Sequence, residues 1–312
     1  MQKKGSSTLL WWPMISIILL YALCASMFTI SKWGLVYAQP IFFLAVRMIL
    51  AGALLSGYLA AKMSFTRELW ISFKRDWFLF LQIILFHIYL TYLCDLCALK
   101  NISSVESAFI YNLSPFVAAL LSYIWFREYM TLKKWVGLLI GFGAYLPQII
   151  TLGSTQLFTD AWPRVLTLTA VISSAYGWIV LRALVKKGYS SVLVNAVGMF
   201  FGGLIALITS YFVEPWSPAP VTAWIPFFQA TLLIVVVANI LFYNLYGNLL
   251  KYYTATFLSF AGFMCPFFAA IFGYFFLGET LNPTLFISFI LVCIGLVIFY
   301  HEELKQGYLS SK

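Results

Sequence analysis

The chain has 312 residues, of which 63% are hydrophobic, 19% aromatic and only 9% charged. Soluble domains carry roughly 25% charged residues, so this composition excludes a water-soluble globular body and leaves lipid as the solvent for most of the surface. The net charge of +9 suits either nucleic acid or membrane topology, and its distribution along the chain decides between them.

The apolar runs fall at 12–31, 40–61, 77–98, 102–126, 135–150, 163–185, 192–212, 224–249, 254–277 and 283–300. Most have the length of a spanning helix, for which about 20 apolar residues suffice. The runs lack the period-2 alternation of barrel strands, so helices are the expected way of satisfying the backbone in lipid. The expected fold is an all-α polytopic membrane protein of about ten spans. The first run, behind Lys3 and Lys4, is too long for a signal peptide and has no convincing cleavage site, so it reads as a helix that is retained. The second opens on Pro40, suited to a first helical turn, and carries Arg47. In the third, His87, Thr91 and Asp95 recur every four residues, on one helical face. The fourth contains Glu106, then Tyr111, Asn112 and Ser114 beside Pro115. The sixth contributes Ser173, Ser174, Tyr176 and Trp178, and the eighth Asn239, Tyr243, Asn244 and Tyr246; Pro266 lies in the ninth. The five cysteines all lie in apolar runs. The pair Cys94 and Cys97 has no second pair to complete a zinc site, so these read as small buried hydrophobes and no metal or cofactor is expected.

With the N-terminus inside, fifteen of the 19 Lys and Arg residues flank the inner ends of the spans. Only Lys32, Lys100 and Arg164 lie outside, and Arg47 lies within a span. This bias predicts both termini in the cytoplasm, and it accounts for the positive charge without nucleic acid.

Two stretches match. Ser114-Pro115-Phe116 leads to Glu128, and Cys265-Pro266-Phe267 leads to Glu279, with proline and glutamate thirteen residues apart in both. Each lies in the fourth span of a five-span half. Because five is odd, the copies enter the membrane from opposite sides, as in the inverted repeats of secondary transporters. The expected organisation is a cytoplasmic segment 1–11, a first five-helix repeat at 12–150, a second at 163–300 and a cytoplasmic tail at 301–312.

This ten-span plan, the Pro40-to-Arg47 spacing in the second span and the repeated Pro…Glu motif resemble the EamA family of the drug/metabolite transporter superfamily. Two departures stand out: Arg127 replaces the small residue usual before Glu128, and Gly198 stands where repeat symmetry would place a counterpart of Arg47. The resemblance implies carriage of a small organic metabolite across a bacterial-type inner membrane by alternating access. The implied cargo is an amino acid-like or S-adenosylmethionine-like solute, with protons or a counter-transported solute as the coupling partner. A non-transport membrane protein (channel, scaffold or intramembrane enzyme) is the alternative. Against an enzyme, no Ser/His/Asp constellation accompanies the two histidines, His87 and His301. The expected partners are the small-molecule substrate and the bilayer, in a monomer or homodimer.

The polar residues of the third, fourth, sixth and eighth spans would converge on a bundle interior. His87, Thr91, Tyr111, Asn112, Ser114, Tyr176, Trp178, Asn239, Tyr243, Asn244 and Tyr246 are the candidate cavity residues. Interhelical packing by the same hydrogen bonds is the alternative. Arg47, Asp95 and Glu106 form either a structural ion-pair set or a gate that attracts a cation or takes up a proton. Pro115 and Pro266 are the candidate hinges, since a proline inside a helix removes a hydrogen bond.

Overall fold

A computed structural model describes residues 8–62, 67–101, 107, 110–111, 113–143, 161–217, 219–265, 267–268, 271–272 and 284–307. The described residues form ten helices. The first five are α1 (Thr8–Tyr37), α2 (Pro40–Ala61), α3 (67–99, kinked at Asp76), α4 (Ser114–Phe126) and α5 (Leu132–Gly143). The rest are α6 (Ala161–Lys186), α7 (Ser191–Val213), α8 (Trp224–Leu249), α9 (Ala255–Met264) and α10 (Thr284–Lys305). Among the described residues, six stretches are long and apolar enough to cross a membrane, and Ser114–Phe126 and Ala255–Met264 are shorter apolar helices. Large apolar side chains such as Leu54, Ile208, Phe212, Ile225 and Val297 face outward, the arrangement that lipid favours and water penalises. The protein is a polytopic, all-helical membrane protein.

Two corresponding pairs of helices, α2 with α7 and α5 with α10, pack antiparallel. The N-terminus of α2 meets the C-terminal end of α7, where the Glu214 carboxylate accepts from the amides of Ile41 at 2.7 Å and Phe42 at 2.8 Å. Along this contact Gly203 approaches the backbone of Ile49, and Gly52 that of Phe200. These are the same two positions in each repeat, 151 residues apart. Likewise Lys134, early in α5, bonds Glu303, late in α10, at 3.1 Å, and Gly137 and Gly295 pack against each other between them.

Helices α3 and α8 share an unusual feature. Each is α-helical at both ends and π-helical in the middle, over Ile83–Leu90 and Val235–Phe242. The two segments are 152 residues apart and eight residues long. Such turns are rare and cluster at functional sites. Side chains take up the displaced carbonyls. Phe86 O accepts from Thr91 Oγ1 at 2.8 Å and from Ser173 Oγ at 2.7 Å, and Ile240 O accepts from Asn244 Nδ2 at 2.8 Å.

The wider π turn of α3 is accommodated by glycines. A Cβ at Gly198 would lie 2.7 Å from Ile83, one at Gly202 2.8 Å from Ile88, and one at Gly177 would collide with the His87 ring. This explains the departure from repeat symmetry at Gly198, since a side chain there would enter α3.

The positions of the basic residues define two ends of the bundle. One end, the basic end, carries Lys62, Arg75, Lys186, Lys187, Lys251 and Lys305. Three polar clusters join helices there: Glu128 with Arg182 at 2.6 Å, Lys134 and Thr254 with Glu303, and Asp76 with Lys187 and Tyr189. At the opposite end the chain between α1 and α2 pairs with that before α8, through Gln39 N to Pro220 O and Thr222 N to Tyr37 O, both 2.9 Å.

Candidate functional site

A cavity of about 150 Å³ opens between α1, α3, α4, α6, α8 and α9. Nine lining side chains are aromatic, and Asp95 is the one charged group among the described lining residues. Trp178 and Tyr246 stack with ring centres 3.7 Å apart, Tyr243 lies against Trp178 at 5.1 Å, and Phe242 closes the same wall. One helical turn beyond Trp178 toward the basic end, Arg182 pairs with Glu128, and Phe126 lies under the guanidinium at 4.8 Å. The cavity therefore ends on an aromatic floor backed by a buried ion pair.

Around Asp95 the groups are polar and closely spaced. The Tyr111 hydroxyl donates to its carboxylate, and the Tyr92 and Tyr243 ring centres lie 6.2 Å apart. Behind Tyr92 lies Arg47, fully buried, its guanidinium 4.3 Å from the Tyr92 ring centre and 5.7 Å from that of Phe43. Cys24 and Cys265 also face the cavity, from α1 and α9.

Eight of the residues singled out in the sequence line this space: Thr91, Asp95, Tyr111, Ser114, Ser174, Trp178, Tyr243 and Tyr246. His87 stands one layer behind, fully buried, edge-on to Trp178 at 4.4 Å and 5.3 Å from Tyr243.

Three more of the expected cavity residues do not reach it. Tyr176 is two residues from Trp178 and so projects from the other side of α6, where its hydroxyl donates to Gln82 at 3.0 Å and it lines a separate crevice with Phe86 and Leu121. Asn239 lies inside the π-helical segment, whose longer turn takes it off the face of Tyr243. Its Nδ2 points at the sulfurs of Met48 at 3.0 Å and Met199 at 3.8 Å, a pair related by the repeat. Asn244 bonds Asn195 at 2.9 Å on the α7 side. Pro115, expected inside a helix, stands in the first turn of α4 after a turn at Leu113, where a missing N–H costs no intrahelical bond. Asn112, Glu106 and Pro266 lie outside the described residues.

The model of the EamA-like transporter family matches the chain twice, over residues 11–146 and 162–301. The chain belongs to the EamA-like transporter family. Among its relatives are proteins named S-adenosylmethionine/S-adenosylhomocysteine transporter, from Chlamydia trachomatis serovar L2 and from Chlamydia muridarum. Each is 36% identical over 296 residues, 92% of this chain, covering 88% and 91% of the relative respectively. An uncharacterized transporter of Bacillus subtilis is 24% identical over 84% of this chain and 83% of its own length. A solved structure with 16% sequence identity superposes with a TM-score of 0.71, covering 92% of this chain and 95% of its own, which bears on the fold alone. The protein is thus a membrane transporter and not an enzyme.

In this EamA-like transporter the lining from α1 and α9 was not anticipated from the sequence. Tyr21, Cys24, Phe28 and Ser31 recur at helical spacing and all line the cavity, and the Tyr21 hydroxyl donates to Leu258 O across to α9. The signal was a polar-containing stripe in an otherwise lipid-compatible helix. On α9, Ser259, Gly262 and Cys265 are small residues at three-residue steps that leave room for the cavity.

Proposed function

We propose that this transporter carries S-adenosylmethionine and S-adenosylhomocysteine, exchanging one for the other by alternating access through the cavity beside Asp95. The observation that carries this reading is the aromatic cavity whose described lining carries one carboxylate, Asp95. A sulfonium cation and an ammonium group both favour a carboxylate framed by aromatic faces, and a purine needs a flat apolar surface such as the Trp178–Tyr246 pair. The names of the chlamydial relatives, at 36% identity over nearly the whole chain, support the same cargo. In this reading the protein sits in a bacterial-type inner membrane with the basic end in the cytoplasm. The repeats at 12–150 and 163–300 close the two ends in turn, and solute exchange supplies the coupling in place of protons.

The test is counterflow in proteoliposomes. Vesicles loaded with S-adenosylhomocysteine are expected to accumulate labelled S-adenosylmethionine at least tenfold faster than empty ones, and a protonophore is expected to leave the rate unchanged. Uptake that is indifferent to the internal solute but abolished by the protonophore would replace exchange by proton coupling. Absence of uptake for both compounds, with uptake of another solute, would remove the proposed cargo.

A further inference from the structure

We infer that Arg47 and Asp95 form a subsite for a zwitterionic α-amino acid group, and that it selects the amino acid end of the cargo separately from the adenosyl end. The inference rests on the proposed cargo for its ligand, but its geometry belongs to the protein. Arg47 is 1% exposed, and its Nε and Nη2 have no hydrogen-bond partner. Asp95 is 9% exposed; Tyr111 donates to its carboxylate, while Oδ1 has no partner. Burying a charged donor or acceptor without a partner costs more than leaving it in water, so a structure that retains both has a use for them. The two groups interact electrostatically across Tyr92, yet their free atoms are not spent on each other.

An α-amino acid presents an ammonium and a carboxylate on one carbon. The ammonium completes Asp95 Oδ1, and the carboxylate takes the two free guanidinium N–H groups once the Tyr92 ring, which lies over Arg47 at 4.3 Å, swings aside. Tyr92 thereby screens the guanidinium until a ligand arrives. A cation alone would leave Arg47 unmet, and an anion alone would leave Asp95 unmet. The arrangement favours a ligand with both charges, whether attached to a sulfonium or to a neutral thioether.

Competition binding to the purified full chain tests this from the ligand side, where folding of variants is not at issue. S-adenosylhomocysteine is compared with its decarboxylated analogue, its deaminated analogue and 5′-methylthioadenosine. Each analogue is expected to bind at least tenfold more weakly than S-adenosylhomocysteine. On the protein side, Arg47→Met is expected to abolish the loss caused by decarboxylation, and Asp95→Asn the loss caused by deamination, with Arg47→Lys keeping part of the discrimination. Equal affinity of the wild-type protein for all four compounds would overturn the subsite while leaving the cargo reading intact. If neither S-adenosylmethionine nor S-adenosylhomocysteine binds, the cargo reading fails. The subsite then stands if L-methionine binds with the same dependence on Arg47 and Asp95, and falls if it does not.

Discussion

Glu214 touches no part of the cavity, yet it joins the two repeats at a single residue. Its carboxylate receives the Ile41 and Phe42 amides, which lie in the first turn of α2 and have no carbonyl of their own helix to bond. Pro40 at the start of the same turn removes one further donor, so the glutamate meets the remaining donors from another helix. The negative charge also sits at the positive end of the α2 dipole, and Ser210 Oγ holds the second oxygen at 2.7 Å. Replacement by alanine leaves two amides seeking water at a helix junction, a loss of about 1–3 kcal/mol. Thermal melting of the detergent-purified protein is therefore expected to rank wild type above Glu214→Gln and Glu214→Gln above Glu214→Ala. An alanine variant that melts with the wild type would show that the cap contributes nothing to the fold.

At the scale of elements, hydropathy and charge made the ten helices and their alternation legible, because length and polarity in lipid leave few alternatives. The interior of α3 and α8 was not legible. A π-helical turn changes which residues share a face, so uniform helical spacing groups His87 with Thr91 and Asp95, and Asn239 with Tyr243, whereas His87 and Asn239 are not among the lining residues. Thr91, Asp95 and Tyr243, which follow the π segments, line the cavity. No residue type in Ile83–Leu90 or Val235–Phe242 announces the change. The nearest signal is indirect, in the glycines of α6 and α7 that make room for it. The contribution of α1 was hidden for a different reason, since tyrosine, cysteine and serine at wide spacing are also compatible with lipid. The glycine argument is testable by paired substitutions. A Cβ at Gly177 would lie within 2.5 Å of the His87 ring, whereas one at Gly57 meets nothing within 4 Å. Overpacking costs about 1–3 kcal/mol, and replacing an unconstrained helical glycine by alanine gains about 0.5–1 kcal/mol. Gly177→Ala is expected to lower the melting temperature and Gly57→Ala to leave it level or raise it. Equal behaviour of the two would show that the π turn of α3 does not depend on the space at Gly177.

Across the whole molecule, the cavity and the polar clusters at the basic end describe one arrangement of an inverted-repeat transporter. Cavity-lining side chains on α6 and α8 stop at Trp178 and Tyr246. Past that floor, α4 is fastened to α6 by Glu128 and Arg182 at 2.6 Å and to α9 by Thr256 and Ser122 at 3.2 Å. Residue Arg127, with φ of +54°, ends α4 in a left-handed turn that places Glu128 against Arg182. This gives the second departure from the family pattern a structural role. Under the proposed alternating access, release of solute at the basic end requires α4 to part from these neighbours, which would make the ion pair a lock on that end. Removing one member of a buried pair costs roughly 3–5 kcal/mol because the other charge is left unmet, whereas replacing both together is often neutral. Glu128→Gln and Arg182→Met are each expected to favour the arrangement open at the basic end, where the stranded partner reaches water. The readout is labelling of Cys24 and Cys265, which face the cavity, by a membrane-impermeant maleimide in inside-out vesicles. Both single variants are expected to label several-fold faster than wild type, and the exchanged pair Glu128→Arg with Arg182→Glu to return toward the wild-type rate. Unchanged labelling in folded single variants would mean that the closure at this end is carried by the packing of α4 on α9 and not by the charges.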